Sequence, residues 1–368
     1  MRFALSPEHV DFAASIRKLL DAGKTPAAVR SWSAGEHAAG RALLEQLAGA
    51  GVFGLAVAEE FDGIGAEPID LVVAFGELGR SAAPGPLVES AAAIPAVLQA
   101  LADSTGVAAD GSADAGRADG TASGSSTGAG TGADAAARWL PGIAAGTTLG
   151  TIAFAAPGRG AIALDADVAE LILIADGDRL STGTVGEQVR SVDPARRLFT
   201  VVPDELIAEG AHVVDAIAAG FDAAALACAA QLLGAGSGLL DAATEYAKQR
   251  KQFGRPIGEF QAVKQKLADV LIALDLAEPL LHRAALTAGG PDRARDVSAA
   301  LVACGNAAHL AARTGLQVHG AIGYTAEYDL SLLLTKVTAL RSAWGTADFH
   351  RARIAEALRS TVAGGASA

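Results

Sequence analysis

The sequence is poor in aromatic residues and in cysteine. Phe, Trp and Tyr make up 5% of its 368 residues, and this scarcity, together with abundant alanine, favours helices over a β-sandwich. The two cysteines, Cys228 and Cys304, lie far apart in alanine-rich segments. This arrangement excludes a disulfide framework and a metal-binding motif, and it is typical of a protein in a reducing cytoplasm.

The chain also lacks an excess of basic residues. Its formal net charge of −12 argues against a nucleic-acid partner, which would require a basic surface, and against an anionic membrane surface. No apolar run is long and charge-free enough to span a bilayer, and the N-terminus has no signal-peptide pattern. We therefore expect a cytoplasmic protein. The seven histidines lack metal-ligand spacing, so we also expect no bound metal.

Half of the residues are apolar, so the chain can bury a large core. Helical spacing of apolar residues predicts an N-terminal helical domain over 1–102. Residues 103–136 are almost all small or polar, which indicates a flexible low-complexity insertion. Short apolar runs at 149–154, 171–175 and 198–202 predict a small central β-domain over 137–205. The predicted fold class is therefore mainly α with this small β-domain, followed by a helical bundle over 206–368.

The bundle is predicted to contain a long helix over 221–249 and further helices over 259–288, 292–318, 328–341 and 346–358. Their apolar spacing is typical of an antiparallel four-helix bundle. Gly234, Gly236 and Gly238 lie within the long helix. No strand precedes them, so they indicate close helix packing rather than a phosphate-binding loop.

The strongest motif follows the long helix and reads Tyr246-Ala-Lys-Gln-Arg-Lys-Gln-Phe-Gly-Arg-Pro-Ile257, with Phe260-Gln261 after it. Gly254 suits a tight turn, and Arg250, Lys251 and Arg255 place positive charge there that would hold a pyrophosphate. A basic helix end is the simpler alternative.

This segment resembles the signature of the acyl-CoA dehydrogenase family. In that family the matching loop crosses a subunit interface and contacts the adenosine and pyrophosphate half of FAD. The resemblance implies FAD as cofactor and an acyl-CoA as substrate, with Arg250, Gln252, Phe253 and Gln261 at the nucleotide.

A second motif, Gln317-Val-His-Gly-Ala-Ile-Gly-Tyr324, is similar to a turn of the same family that also contacts the adenosine side. Gln317 and Gly320 match the family pattern, whereas Ala321 replaces a glycine. His319, beside this turn, is interpreted as a local cap. Weaker similarities at 58–65, 140–146 and 193–198 extend the resemblance over most of the chain outside 103–136.

The carboxylate base of the family is missing from both of its usual positions. A Tyr-Glu-Gly-Thr string is replaced by Ala343-Trp-Gly-Thr346, so Trp344 stands at the base position, and the alternative position falls on Ala224. The region at 154–160, which matches the family's loop around the flavin ring, is also short. By the resemblance, Thr346 and Asp348 still reach the cofactor.

These departures leave three hypotheses open. In the first, the chain is the adenosine-side subunit of an α2β2 heteromer and a second acyl-CoA dehydrogenase-like subunit supplies the base. In the second, it is a self-sufficient homo-oligomeric flavoenzyme that uses Asp222 or Asp348 as base, or performs other flavin chemistry. In the third, it is a scaffold without flavin. The acyl chain is open, from a simple fatty acid to a polycyclic side chain, and His350 is interpreted as part of a solvated helix face.

Overall fold

The computed structural model describes residues 4–110, 132–155 and 160–365. Within these residues, six α-helices precede the sheet: α1 (Pro7–Ala22), α2 (Thr25–Ser33), α3 (Ala38–Gly49), α4 (Pro68–Arg80), α5 (Ile94–Asp110) and α6 (Gly132–Ala144). A π-helical turn over Glu89–Ala93 leads into α5. Helix α1 starts at Pro7, where the Ser6 hydroxyl caps it by accepting a hydrogen bond from the His9 amide.

The expected insertion over 103–136 is wrong at both of its ends. Residues 103–110 continue α5, and 132–136 form the first turn and a half of α6. Ala135 and Ala136 are buried there, since small side chains let α6 lie close against α5. Residues 111–131 of that prediction lie outside the described residues.

The described β-structure includes a five-stranded sheet with the order β1-β3-β4-β5-β2. Its strands are β1 (Gly150–Phe154), β2 (Ala161–Leu164), β3 (Leu171–Asp176), β4 (Arg179–Val189) and β5 (Leu198–Glu209). Strands β1 and β3 pair in parallel, and the other pairs are antiparallel. The three apolar runs predicted as strands are strands. The sequence did not reveal β4, because it is largely exposed and interrupted by Gly183 and Gly186.

The C-terminal helices are α7 (Ala211–Gln249), α8 (Gln261–Leu286), α9 (Arg293–His319), α10 (Leu330–Ala343) and α11 (Ala347–Gly365). Helix α7 starts ten residues before its predicted start and packs between α4 and α9. It is the one described helix that is long and apolar enough to cross a membrane, but most of its apolar stretch is buried in the bundle. The predicted divisions at 137 and 205 fall inside α6 and β5, which continue past them, so the division into domains stays a prediction.

Glycines bring α7 close to α4, as their spacing predicted. A Cβ atom on Gly234 would overlap the carbonyl oxygen of Gly76, and one on Gly238 would lie 2.8 Å from the carbonyl oxygen of Arg80. The backbones of the two helices therefore touch, and this contact joins the N-terminal helices to the bundle.

Candidate functional site

The first predicted motif forms a short β-hairpin at the end of α7, here called the basic hairpin (residues 250–256). Lys251–Gln252 pairs with Arg255–Pro256, and Phe253 and Gly254 form the turn. Both turn residues have positive φ, 52° and 82°, as a two-residue hairpin turn of this type requires. Phe253 is 92% exposed. A large aromatic side chain in a left-handed conformation and in solvent indicates a contact surface rather than a packing role.

The charges of the basic hairpin are free of carboxylate partners. Among the described residues, Arg250, Lys251 and Arg255 make no salt bridge, and all three are exposed. The Arg255 guanidinium lies 4.3 Å from the centre of the Phe260 ring, which holds it beside the start of α8. The hairpin thus presents an uncompensated positive surface to an anion.

The second predicted motif, at the end of α9, lies against the end of α7. The buried ring of His319 stacks on Tyr246 with ring centres 4.3 Å apart and contacts Tyr328 on its other side. Its Nδ1 lies 2.8 Å from the carbonyl oxygen of Gly315, and burial lowers the pKa of His319. His319 is therefore a local packing residue, and the stacking brings the two motifs together.

A cavity of about 930 Å³, here called the α9 cavity, opens beside the second motif. The predicted residues Gln317, Gly320 and Ala321 line it, and α8 and α9 add residues that the sequence analysis missed. The missed residues include Lys266, Asn306, His309 and Arg313. His309, Arg313 and Gln317 recur every four residues, which places them on one helix face, and this spacing could have revealed them.

The α9 cavity has a positive electrostatic field. Lys266 and Arg313 make no salt bridge within the described part of the chain. Burial lowers the pKa of His309, and the nearby guanidinium groups of Arg341 and Arg313 lower it further. The cavity is suited to an anion, as the basic hairpin is.

The remaining predicted cofactor contacts are not gathered around the α9 cavity. Gln261 is exposed at the first position of α8. Thr346 and Asp348 lie at the start of α11, where the Thr346 hydroxyl accepts a hydrogen bond from the Phe349 amide. The Asp348 side chain is 93% exposed and pairs with Arg351.

The two positions at which the resemblance predicts the base hold side chains that cannot accept a proton. Trp344 is buried, and its ring centre lies 5.5 Å from that of Phe154 and 6.3 Å from that of Phe221. Ala224 is fully buried in α7. A second cavity of about 410 Å³, here called the Trp344 cavity, lies beside these rings. The shortened loop predicted at 154–160 lies partly outside the described residues.

Asp222, the carboxylate of α7 nearest in sequence to Ala224, forms ion pairs with two arginines. Its side chain is 1% exposed, and its oxygens lie 2.9 Å from Arg293 and 2.7 Å from Arg353. A carboxylate held in this way is positioned as an ion-pair centre between α7, α9 and α11.

The prediction that His350 lies on a solvated face is wrong. His350 is fully buried, with Nε2 2.7 Å from the Trp344 carbonyl oxygen and Nδ1 3.0 Å from the Ser298 hydroxyl. Gly345 has a φ of 94°, and the turn it allows brings α11 back beneath Trp344. His350 thus fixes the segment that carries Trp344.

Both cysteines are free and fully buried, and burial raises the pKa of Cys228 to about 12. They behave as small apolar residues, as predicted. The described residues contain no group of three or more His, Cys, Asp or Glu side chains that could hold a metal ion.

Comparisons with known proteins agree on one family. Residues 6–103 match the N-terminal domain and residues 214–359 the C-terminal domain described as "Acyl-CoA dehydrogenase". The chain is 31% identical over 296 residues to the acyl-CoA dehydrogenase IpdE2 of Mycolicibacterium smegmatis, covering 79% of this chain and 78% of that protein.

Two solved structures illustrate the shared fold. Butyryl-CoA dehydrogenase from Megasphaera elsdenii matches with a TM-score of 0.76 at 18% identity, over 97% of this chain and 100% of that one. The ChsE4-ChsE5 complex from Mycobacterium tuberculosis matches with a TM-score of 0.75 at 22% identity, over 98% and 99% of the two chains. At these identities the two structures establish the fold alone.

Proposed function

The chain belongs to the acyl-CoA dehydrogenase family, and on that premise we propose that it is one subunit of a heteromeric, FAD-dependent acyl-CoA dehydrogenase. Its role is to close over the adenosine and pyrophosphate half of an FAD whose flavin ring is held by a second, related subunit. The enzyme is cytoplasmic and dehydrogenates the α,β-bond of a CoA thioester that arises in fatty-acid or sterol breakdown.

The observation that carries this proposal is the contrast between the two ends of the site. At the nucleotide end, the basic hairpin and the α9 cavity offer positive charges without carboxylate partners. At the reaction end, Trp344 and Ala224 stand where the family has its glutamate, and neither can accept the α-proton of a thioester. A chain that keeps one half of the site and lacks the other needs a partner to complete it.

The residues at the nucleotide end fit FAD. Arg250, Arg255, Lys266 and Arg313 would hold the pyrophosphate, and Phe253 would offer a flat apolar face to the adenine. A Cβ atom on Gly320 would meet nothing within 4 Å, so the end of α9 leaves open space beside this surface. When bound, FAD supplies the hydride acceptor for the β-hydrogen of the substrate.

A self-sufficient enzyme is less well supported, because neither candidate carboxylate suits a base. A base that removes a weakly acidic α-proton must be desolvated and close to the substrate. Asp348 is exposed to solvent, and Asp222 is committed to Arg293 and Arg353. A scaffold without flavin leaves the uncompensated charge of the basic hairpin without a role.

The test is to purify the chain alone and together with a second acyl-CoA dehydrogenase-like chain that keeps the catalytic glutamate. We expect stoichiometric flavin and acyl-CoA oxidation only in the co-purified complex. The changes Arg250→Ala and Phe253→Ala should each lower flavin retention of the complex by about tenfold, since charge-assisted and stacking contacts are worth about 1–3 kcal/mol.

A matched control is Lys18→Ala, which removes an exposed cation from α1 and should leave flavin retention unchanged. Flavin and turnover in the chain alone would support the self-sufficient enzyme instead. Absence of flavin from both preparations would support the scaffold.

A further inference from the structure

The Trp344 cavity is a second, partly open space that the proposed role in FAD binding does not use. It lies between strand β1, the N-terminal part of α7 and the end of α10. Phe154, Phe221 and Trp344 form an edge-to-face aromatic wall on one side, and aliphatic side chains of the sheet, including Ile162 and Leu198, form another. The walls are suited to a compact apolar body.

Three polar side chains also line this cavity although they are almost inaccessible to solvent. Glu89 is 3% exposed, Trp344 5% and Arg196 8%. The Glu89 Oε2 and Trp344 Nε1 atoms have no hydrogen-bond partner. Arg196 makes no salt bridge within the described residues, although its loop follows the buried Asp193. Buried polar groups normally have partners, so two unpartnered atoms beside a buried guanidinium that lacks a salt bridge indicate a missing ligand.

All three groups are arranged to donate hydrogen bonds. The guanidinium of Arg196 and the indole N–H of Trp344 can only donate. Burial raises the pKa of Glu89, with Arg196 and Lys336 opposing the shift, and this favours the neutral carboxyl, which carries an O–H donor. Lys336 is not available to a ligand in the same way, because its ammonium binds the Ala83 carbonyl oxygen and lies 4.0 Å from Asp193.

Several donors, one buried cation and aromatic walls together define a ligand class. We propose that the Trp344 cavity binds a small organic monocarboxylate with a compact cyclic body, with its carboxylate held by Arg196, Trp344 and Glu89. Arg196 supplies the one buried positive charge of the cavity lining, which matches one carboxylate, and Arg190 lines the cavity as an exposed guanidinium. This inference does not depend on the heteromeric role, because every residue it uses belongs to this chain.

The experiment is calorimetric titration of the purified full chain with benzoate and 2-naphthoate, each compared with its neutral amide. We expect saturable binding of the acids and at least about tenfold weaker binding of the amides, which corresponds to the loss of one charge-assisted pair. Arg196→Met should abolish binding. Trp344→Phe keeps the aromatic wall and removes only the indole donor, so it should weaken binding without lowering the melting temperature.

The control Arg179→Met removes an exposed arginine from the same sheet and should leave binding unchanged. Equal affinity for acid and amide, absence of binding at millimolar acid, or binding that Trp344→Phe leaves intact would each overturn the proposal. Competition of the acids by riboflavin would also overturn it, since that result would assign the cavity to a flavin ring.

Discussion

Trp344 stands where the resemblance predicts the proton-abstracting glutamate, and its surroundings are adapted to an indole. Phe154 and Phe221 contact the ring edge to face, and His350 holds the backbone of Trp344 through its carbonyl oxygen. Restoring a glutamate at this one position would therefore place a carboxylate among aromatic rings without recreating the loop that holds a flavin. Several residues besides Trp344 would therefore have to change to accommodate a base at this position.

Behind the Trp344 cavity lies a second buried acid, Asp165. It accepts a hydrogen bond from Trp32 Nε1 at 2.9 Å, and its other oxygen has no partner. Burial raises the pKa of Asp165 to about 7; the charge of Glu89 adds to the shift, while Trp32, Arg196 and Lys336 oppose it. The carboxyl is thus held largely neutral below that pH.

This raised pKa predicts that the protein loses stability as the pH rises. The folded state holds the proton of Asp165 up to about pH 7, whereas the unfolded chain releases it near pH 3.8. The contribution of Asp165 is therefore fully present below pH 3.8 and is lost as the pH rises towards and through 7, at up to ~1.4 kcal/mol per pH unit. The variant Asp165→Asn, which keeps the acceptor for Trp32 and tolerates the positive φ of this residue, should flatten the dependence.

Urea denaturation between pH 5 and pH 8 measures this effect. The unfolding free energy of the unmodified chain should fall more steeply than that of Asp165→Asn. The variant keeps the decline due to Glu89, whose pKa is raised in the same direction. Parallel curves for the two proteins would contradict the argument.

At the level of elements, the contact between α4 and α7 joins the N-terminal helices to the bundle. Gly79 of α4 faces the backbone of α7, and a Cβ atom there would overlap the Gln231 carbonyl oxygen and lie 2.5 Å from its Cα. Gly76, one turn earlier, has nothing within 4 Å of the corresponding position. Gly79 therefore permits the close approach of α4 to α7, whereas Gly76 leaves room for a Cβ atom.

The two glycines give a matched pair of substitutions. Gly79→Ala should lower the unfolding free energy by about 1–3 kcal/mol, because the helices must separate to admit a methyl group. Gly76→Ala should raise it by up to ~1 kcal/mol, since alanine is the better helix former. Urea midpoints of the two variants measure the difference, and equal destabilisation by both would show that α4 does not need its close approach to α7.

At the scale of the molecule, α8 leaves an apolar stripe in solvent. The stripe consists of Ile272, Leu276 and Leu280, which are between 40% and 69% exposed. Their four-residue spacing places them on one face of the helix, and the basic hairpin lies just before α8 in the chain. A subunit that covers the basic hairpin is well placed to cover this stripe as well.

The proposed assembly predicts that Leu276→Asp weakens association with the partner subunit and leaves the fold of the chain intact. We expect at least about a tenfold loss in affinity, as for the removal of one central apolar contact. Size-exclusion chromatography with light scattering of the co-purified complex measures it, and circular dichroism checks the fold.

Val10→Asp is the control for this prediction, because it places the same charge on an exposed apolar position of α1. If the Leu276→Asp complex assembles normally, α8 does not belong to the proposed interface, and the basic hairpin stays the proposed contact.

The sequence alone determined the family and the order of helices, sheet and bundle. These features depend on local patterns: helical periodicity and contiguous motifs such as the basic hairpin. The cofactor contacts and the replacement of the base by Trp344 and Ala224 stay predictions. The sequence could not reveal β4, whose polar, glycine-interrupted residues lack a strand pattern, nor the helical ends of the supposed insertion, whose residues are almost all small or polar.

Tertiary structure decided which distant residues meet. His350 appeared solvated on its own helix, yet the turn at Gly345 buries it beneath Trp344. Glu89 belongs to no motif and Arg196 only to the weak similarity at 193–198, and only the fold places them with Trp344 around one cavity. The physical reason is that burial and pairing depend on contacts between segments far apart in the chain, whereas sequence patterns record the preferences of neighbours.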